Sequence, residues 1–375
     1  MRDDTRQLYE PASIAHPGET IVEYLEFNNW SQRELARRTG LTPKTISEIC
    51  SGKAPITPQT SLALERVFKR PAHFWLNLQR QFDEAEARQR AAEKSAEWKD
   101  WVAKFPLKEM KRFGFISKES NRSDVEALLN FFSVSSPDSW NAVWQTTNVA
   151  YRQTRKFHTT PEAISVWVRE TEIAAADVER GINVKEFDES RFRASLSELR
   201  SQTRKLGEES FSAVQALCAD AGVIFVVVRE LSNTGISGCA RWLTDKKPLI
   251  ALTLRYKFED HIWFTFFHEV GHILLHKRKH GFILDNAAEH LTDQVVDPQM
   301  QREEEEANRF AADTLIPPET LYNFIRQGNI SNNVIERFAD DIGIAPGIVV
   351  GRLQHDGLLG RNEGNTLKKR FFGDD

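Results

Sequence analysis

Residues 260–276, D-H-I-W-F-T-F-F-H-E-V-G-H-I-L-L-H, constrain this chain more than any other stretch. Trp263, Phe264, Phe266 and Phe267 lead into the motif, and Ile273, Leu274 and Leu275 follow it. The run is apolar, compatible with a helix and without proline. Set into it is the pattern H-E-x-x-H, on His268, Glu269 and His272. On a helix, positions i and i+4 lie one above the other. His268 and His272 can therefore offer two imidazole nitrogens to one metal ion. Glu269 sits one step round the helix, where its carboxylate reaches a water beside the ion rather than the ion itself. That is the layout of metal-assisted hydrolysis, with Glu269 as the base. Two structural histidines on one helix are the plainer alternative. Polar groups in so apolar a segment need partners, however, and a metal ion supplies them.

Two histidines are too few for catalytic zinc, which takes three protein ligands and a water. Leu275 and Arg278 stand where a metzincin would have Gly and His, so that signature is excluded. His276 lies a further turn along the helix and reads as a surface residue or a support. A carboxylate on a later helix remains. Residues 301–318 supply one, acidic at the start, apolar in the middle and closed by Pro317 and Pro318. Glu303, Glu304, Glu305 and Glu306 all compete for the role.

The N-terminal region carries a different signal. After a loose tail, Pro17-Gly18-Glu19 opens a helix with Ile21, Val22 and Leu25 as its apolar positions. Ser31 caps a second helix, with Glu34 completing a capping box and Thr39-Gly40 ending it. Thr42 caps a third, with Pro43 at its first position and a stop at Gly52. Two short helices joined by a tight glycine turn form a helix-turn-helix unit, whose second helix enters the DNA major groove. Between residues 31 and 70 there are eight basic residues against three acidic ones, in a chain whose net charge is −4. A basic patch on an acidic chain points to nucleic acid, with Arg37 and Lys44 near the phosphates.

The rest is less specific. The three cysteines form no C-x-x-C pair, so neither a disulfide framework nor a cysteine zinc site is indicated. No apolar signal region follows the N-terminus and no segment is long enough to span a bilayer, which predicts a cytoplasmic protein without membrane contact. Residues 80–101 read as an exposed helical connector. Residues 101–200 are helical and aromatic, with Trp101, Phe105, Phe132, Trp140 and Trp144 more simply core than ligand cavity. From Phe211 a helix runs to Gly222. Three β-branched runs, 223–229, 236–243 and 248–254, predict a small antiparallel sheet beside the metal helix. Two amphipathic helices and a last helix from Ile344 follow, and the polar tail from Arg361 reads as loose.

Two resemblances add to this. The segment H-P-G-E at His16, S-Q-R-E-L-A at Ser31, I-S-E-I-C-S-G at Ile46 and F-W-L-N-L-Q at Phe74 resembles the HigA-type antitoxins of the XRE helix-turn-helix family, over residues 16–82. This implies a dimeric, operator-binding domain of five helices, with Gln32, Lys44 and Thr45 facing the groove and Leu35, Ile46 and Ile49 in the core. The motif helix, with E-x-x-A-N-x-F-A on Glu304, Ala307, Asn308, Phe310 and Ala311, resembles the ImmA/IrrE family of zinc metallopeptidases, over residues 210–355. This implies a gluzincin-like site and cleavage of a DNA-bound repressor. Spacing points to the same glutamate. Glu304, Ala307, Asn308 and Ala311 form one helical stripe of small residues, which lets two backbones approach. Starting from Glu305 places Arg309 against the site, and starting from Glu303 or Glu306 mixes charge with bulk. Glu304 is thus the expected third ligand, and Asn308 the residue that holds a ligand histidine or that carboxylate.

The expected fold class is α+β, mostly α. The expected division is a helix-turn-helix domain over 1–82, a helical middle over 83–205, a peptidase domain over 206–360 and a polar tail over 361–375. The expected function is a DNA-binding transcriptional regulator with a zinc endopeptidase domain that cuts a repressor, a partner or itself. Its expected partners are operator DNA, a protein substrate, a toxin and a second copy of the chain. The alternative is a non-catalytic antitoxin or repressor whose metal site is structural or sensory.

Overall fold

The computed structural model describes residues 15–118, 123–151, 160–232, 234–255, 257–276, 283–285 and 298–371. Arg278 and most of the N-terminal tail lie outside them. The chain divides into two compact units, Met1–Lys99 and Asp100–Asp375.

Among the described residues the first unit holds five helices: α1 (Pro17–Phe27), α2 (Gln32–Thr39), α3 (Pro43–Cys50), α4 (Pro58–Phe68) and α5 (Ala72–Ala96). Side-chain caps start four of them, and three are hydroxyls. Ser31 accepts from the Glu34 amide at 3.2 Å, Thr42 from Thr45 at 3.0 Å and Thr57 from Thr60 at 3.2 Å. The capping box expected at Ser31 is half made, because the Glu34 carboxylate turns to Arg37 and Arg38 instead. The box closes at the preceding helix, where Glu19 accepts from the His16 amide at 3.3 Å and His16 from Gly18 at 2.9 Å. Leu35, Ile46, Ile49, Leu64 and Trp75 are all at most 1% exposed and form the core. Burying each stabilises the unit by roughly 1.5–3 kcal/mol. Of the charged stretch read as a connector, residues 80–96 continue α5, the helix that carries Trp75, and the rest leads into a short helix from Lys99.

The second unit begins with α6 (Lys99–Val102), α7 (Leu107–Phe113), α8 (Asp124–Phe132), α9 (Pro137–Tyr151), α10 (Pro161–Gly181), α11 (Glu189–Ser201) and α12 (Gly207–Asp220). Its aromatic cluster is core: Trp101, Phe105, Phe132, Trp140 and Trp144 are at most 8% exposed and pack edge to face. α10 then packs on the sheet, and its Glu172 accepts from Arg241 at 2.9 Å. Residues 100–205 and the C-terminal part thus fall within one compact unit.

The sheet comprises β1 (Ile224–Val227), β2 (Gly238–Thr244), β3 (Lys247–Leu252) and β4 (Ile283–Asp285), in the order β1-β3-β2-β4. It is mixed, which corrects the expectation of an antiparallel sheet. The connection over 228–237 carries β2 one place too far to pair with β1. The tight turn into β3 then brings that strand back between them, antiparallel to β2 and parallel to β1. β4 pairs antiparallel with the other edge of β2 and was not foreseen.

After the sheet comes α13 (Glu259–Leu275), which carries the motif. Its Trp263, Phe266, Phe267 and Val270 share one core with Phe225, Ile250 and Leu252 of the strands. α14 (Pro298–Leu315), α15 (Pro318–Ile325), α16 (Asn332–Ile342) and α17 (Pro346–His355) complete the unit. The expected loose tail is packed as far as residue 371. Lys368 pairs with Asp260 at 2.6 Å, the Glu259 amide donates to Lys369 O at 3.0 Å, and Phe371 is 1% exposed. The apolar side chain of Phe371 and the need to pair buried Asp260 outweigh the polar composition around them.

Candidate functional sites

α13 is apolar nearly all round, and so it is buried on nearly every face. His268, Glu269 and His272 are each at most 3% exposed. α14 crosses closely because the contact residues are small. Ala307 and Ala311 are fully buried, and a Cβ added to Gly271 would lie 3.1 Å from the Ala307 Cα. The close crossing brings Glu304 over the two histidines. Its Oε2 lies 3.3 Å from His268 Nε2, and its Oε1 lies 3.5 Å from His272 Nε2. The two Nε2 atoms are 2.8 Å apart. Side-chain donor atoms of these three residues all lie within 4.8 Å of one another, the one such group among the described residues.

The protonation of this cluster follows from its surroundings. Asn308 Oδ1 accepts from His268 Nδ1 at 2.9 Å, which leaves a lone pair on His268 Nε2. Burial above all, then His268 and His276, push the His272 pKa down to about 2. Its imidazole is neutral at ordinary pH. Two imidazoles and a carboxylate that converge in this way fit a divalent cation that takes nitrogen and oxygen ligands, as zinc does.

Glu269 lies on the sheet side of the cluster. A Cβ added at Gly238 would come 2.7 Å from Glu269 Oε1 and 2.7 Å from Thr265 Cγ2. The first residue of β2 has to be glycine for strand and glutamate to approach in this way. Next along β2, the Cys239 thiol has its pKa pushed up by burial first and by the Glu269 carboxylate second. It is a buried neutral thiol.

In the first unit, Gln32, Arg37 and Lys44 are exposed on α2 and α3. Thr45 is half-buried, with its Oγ1 2.8 Å from that of Thr42. Arg37 pairs with Glu34, and Lys44 lies 3.8 Å from Glu48.

Comparison with known proteins places both regions. A helix-turn-helix family matches residues 21–75, and the IrrE N-terminal-like peptidase family matches residues 226–354. An uncharacterized HTH-type transcriptional regulator of Escherichia coli, YddM, is 40% identical over 76 residues, 20% of this chain and 81% of its own length. This is an XRE-type helix-turn-helix protein with an IrrE-like domain. Virulence-associated protein I of Dichelobacter nodosus is 39% identical over 69 residues, 18% of this chain and 64% of its own length. Among solved structures, a HigA-family antidote protein from Coxiella burnetii is 32% identical over 22% of this chain and 92% of its own, with a TM-score of 0.21. Pseudomonas aeruginosa antitoxin HigA, solved with the higBA promoter, is 29% identical over 22% and 90%, with a TM-score of 0.21.

Within the IrrE-like domain the structure brings together His268, His272, Glu304 and Asn308, and buries Glu269 beside them. Sequence reasoning missed two contributors. Gly238 carried a usable signal, an isolated glycine at the head of a strand. Glu306, set aside as a ligand because its stripe mixes charge with bulk, lies 3.3 Å from His276 Nε2, and the Nδ1 of His276 lies 2.9 Å from that of His272. Only the crossing of α13 and α14 reveals that contact.

Proposed function

We propose that this protein is a DNA-binding regulator whose IrrE-like domain is a zinc-dependent endopeptidase. The observation that supports the reading best is the convergence of His268, His272 and Glu304 beside a buried Glu269. In this reading the two histidines and Glu304 hold zinc, and Asn308 keeps His268 in the tautomer that can bind it. Bound zinc would polarise a scissile carbonyl and acidify the attacking water. Glu269 takes the proton of that water and delivers it to the leaving amine. Gly238 lets the strand lie against Glu269 and helps to fix where the carboxylate sits. The substrate is a protein, either a repressor of the same helix-turn-helix type or this chain.

For the first unit, the proposal is operator binding by a homodimer, with Gln32, Lys44 and Thr45 toward the groove and Arg37 toward the phosphates. The exposure of Gln32, Arg37 and Lys44 and the net charge of +5 across residues 31–70 support it.

The test compares cells that carry the wild-type chain with cells that carry Glu269→Gln. A protein shortened only in the wild type, together with equal zinc content in both purified chains, is expected. Equal cleavage in both, or zinc lost from a folded Glu269→Gln chain, refutes the assignment. Zinc bound without any shortened protein favours the alternative of a repressor with a structural or sensory metal.

A further inference from the structure

The geometry points to β4 as a built-in occupant of the strand edge on which an extended substrate chain would lie, so that the domain rests closed and a substrate binds as β4 leaves. This deepens the peptidase reading of the same site and rests on it. β2 begins against Glu269, because a Cβ at Gly238 would strike that carboxylate. Across the β2–β3 pair, Thr253 N donates to Ser237 O at 2.9 Å. In an antiparallel pair, residues that bond across the ladder alternate with residues whose backbone faces away. Cys239 therefore bonds toward β3, whereas Gly238 and Ala240 turn their N–H and C=O groups to the opposite edge. A row of free backbone donors and acceptors takes up an extended peptide by strand addition. Beside the proposed base, that row belongs to β2. Among the described residues β1 is the other edge strand next to β3, and it stands two places from β2. Its Phe225 O already accepts from Gln215 Nε2 at 3.1 Å.

The edge of β2 is occupied. β4 lies along it antiparallel, with Asp285 opposite Gly238, Leu284 opposite Cys239 and Ile283 opposite Ala240. By the alternation above, positions 283 and 285 hold the backbone bonds to β2, and the pair 239–284 holds none. β4 follows the motif helix in sequence, so the stretch just past the histidines covers the strand next to Glu269. A peptide that pairs with Gly238 and Ala240 has to displace it. A three-residue edge strand is held by few backbone bonds, and segments of that kind open at far lower free energy than the whole domain unfolds. β4 therefore competes with a substrate for the same donors and acceptors. An edge covered in about nine molecules of ten binds about tenfold more weakly than one always free.

The test uses the full chain with Glu269→Gln, so that no peptide is cut. Proline has no N–H, and Ile283→Pro with Asp285→Pro removes both donors that face β2. Hydrogen exchange at the amides of Gly238 and Ala240 should be at least about tenfold faster in this proline variant than in the parent chain. The binding probe is a fluorescent peptide of residues 280–288, read by anisotropy. It should bind the proline variant, and bind the parent chain at least about tenfold more weakly.

Leu284→Cys supplies the converse and does not depend on how the proline variant folds. In the non-hydrogen-bonded pair 239–284 the Cα atoms stand about 4.5 Å apart, within the range a disulfide spans. Oxidised, this chain should not bind the peptide; reduced, it should regain the parent affinity. The inference is overturned if the two amides exchange alike in parent and proline variant. It is equally overturned if the peptide binds the parent as tightly as the variant, if it binds neither, or if oxidation does not link 239 to 284. With Glu269 restored, the proline variant should shorten the same protein faster than the wild type does. If neither chain shortens any protein, the peptidase reading fails by itself, and exchange and peptide binding still decide this one.

Discussion

The two functional regions use opposite physics. In the helix-turn-helix unit, the residues proposed to act are mostly exposed side chains on the short helices α2 and α3, each started by its own hydroxyl cap. In the IrrE-like domain they are buried polar groups, held where two helices and a strand meet. An exposed recognition residue can change without cost to the fold. A buried cluster is coupled to everything that packs around it, because each of its polar atoms has to be matched. The lesson is that function in the first unit is separable from stability, whereas in the second the two are joined.

The sharpest break in that comparison is expected at Gly238. Gly238→Ala places a methyl 2.7 Å from the Glu269 carboxylate and from Thr265. Peptidase turnover should fall by about 100-fold, since a displacement of about 1 Å can cost that much. Zinc content should remain that of the wild type. Wild-type turnover in this variant would show that Glu269 is not held by the strand.

Gly271→Val probes the helix crossing itself. The added side chain meets the Ala307 backbone, and overpacking should destabilise the domain by about 1–3 kcal/mol. Because the same crossing carries Glu304, zinc affinity should fall with stability. Denaturant melts with and without zinc measure both, and a loss of stability at unchanged affinity would uncouple them.

Acidity gives a further difference. Burial above all raises the Glu259 pKa to about 7, and backbone hydrogen bonds from Lys369 and Gly347 offset this only in part. The folded chain therefore keeps this proton to higher pH than the unfolded chain does. The stability it contributes is complete below about pH 4.5 and is lost as pH rises through about 7. Glu259→Gln should flatten that decline by on the order of 2 kcal/mol, as thermal melts at pH 5 and pH 8 would show. A decline unchanged from the wild type would place the sensitivity elsewhere.

The smallest effect on the fold is expected in the first unit. The double variant Lys44→Ala, Arg37→Ala should melt as the wild type does, because both side chains are exposed. Its DNA affinity should depend less on salt, with the slope of log K reduced by about 0.9 for each phosphate that is no longer neutralised. An unchanged slope would move the DNA-binding surface away from α2 and α3.

Much of this was legible in the order of residues, and the reason is locality. Caps at Ser31 and Thr42, the left-handed glycine at Gly40 and the buried Leu35, Ile46 and Ile49 depend on neighbours within a turn of helix. The same holds for His268 and His272, whose spacing alone puts them on one face. Glu304 was reachable because a stripe of small residues marks the face of a close crossing.

What the chain order could not settle depends on contacts between distant segments. The place of β3 between β1 and β2 is set by a long connection and a short one, so strand signals alone left the parallel pairing open. The packing of Phe371 and Lys368 against the start of α13 overrides a polar composition, since buried Asp260 requires a cation. Gly238 against Glu269, and Glu306 against His276, join residues 31 and 30 positions apart. The order of residues was enough to say which helices form and that His268 and His272 share a helix face. Tertiary structure alone decided which side chains support them, because hydrogen bonds and close approaches are properties of distance in space and leave no periodic trace along the chain.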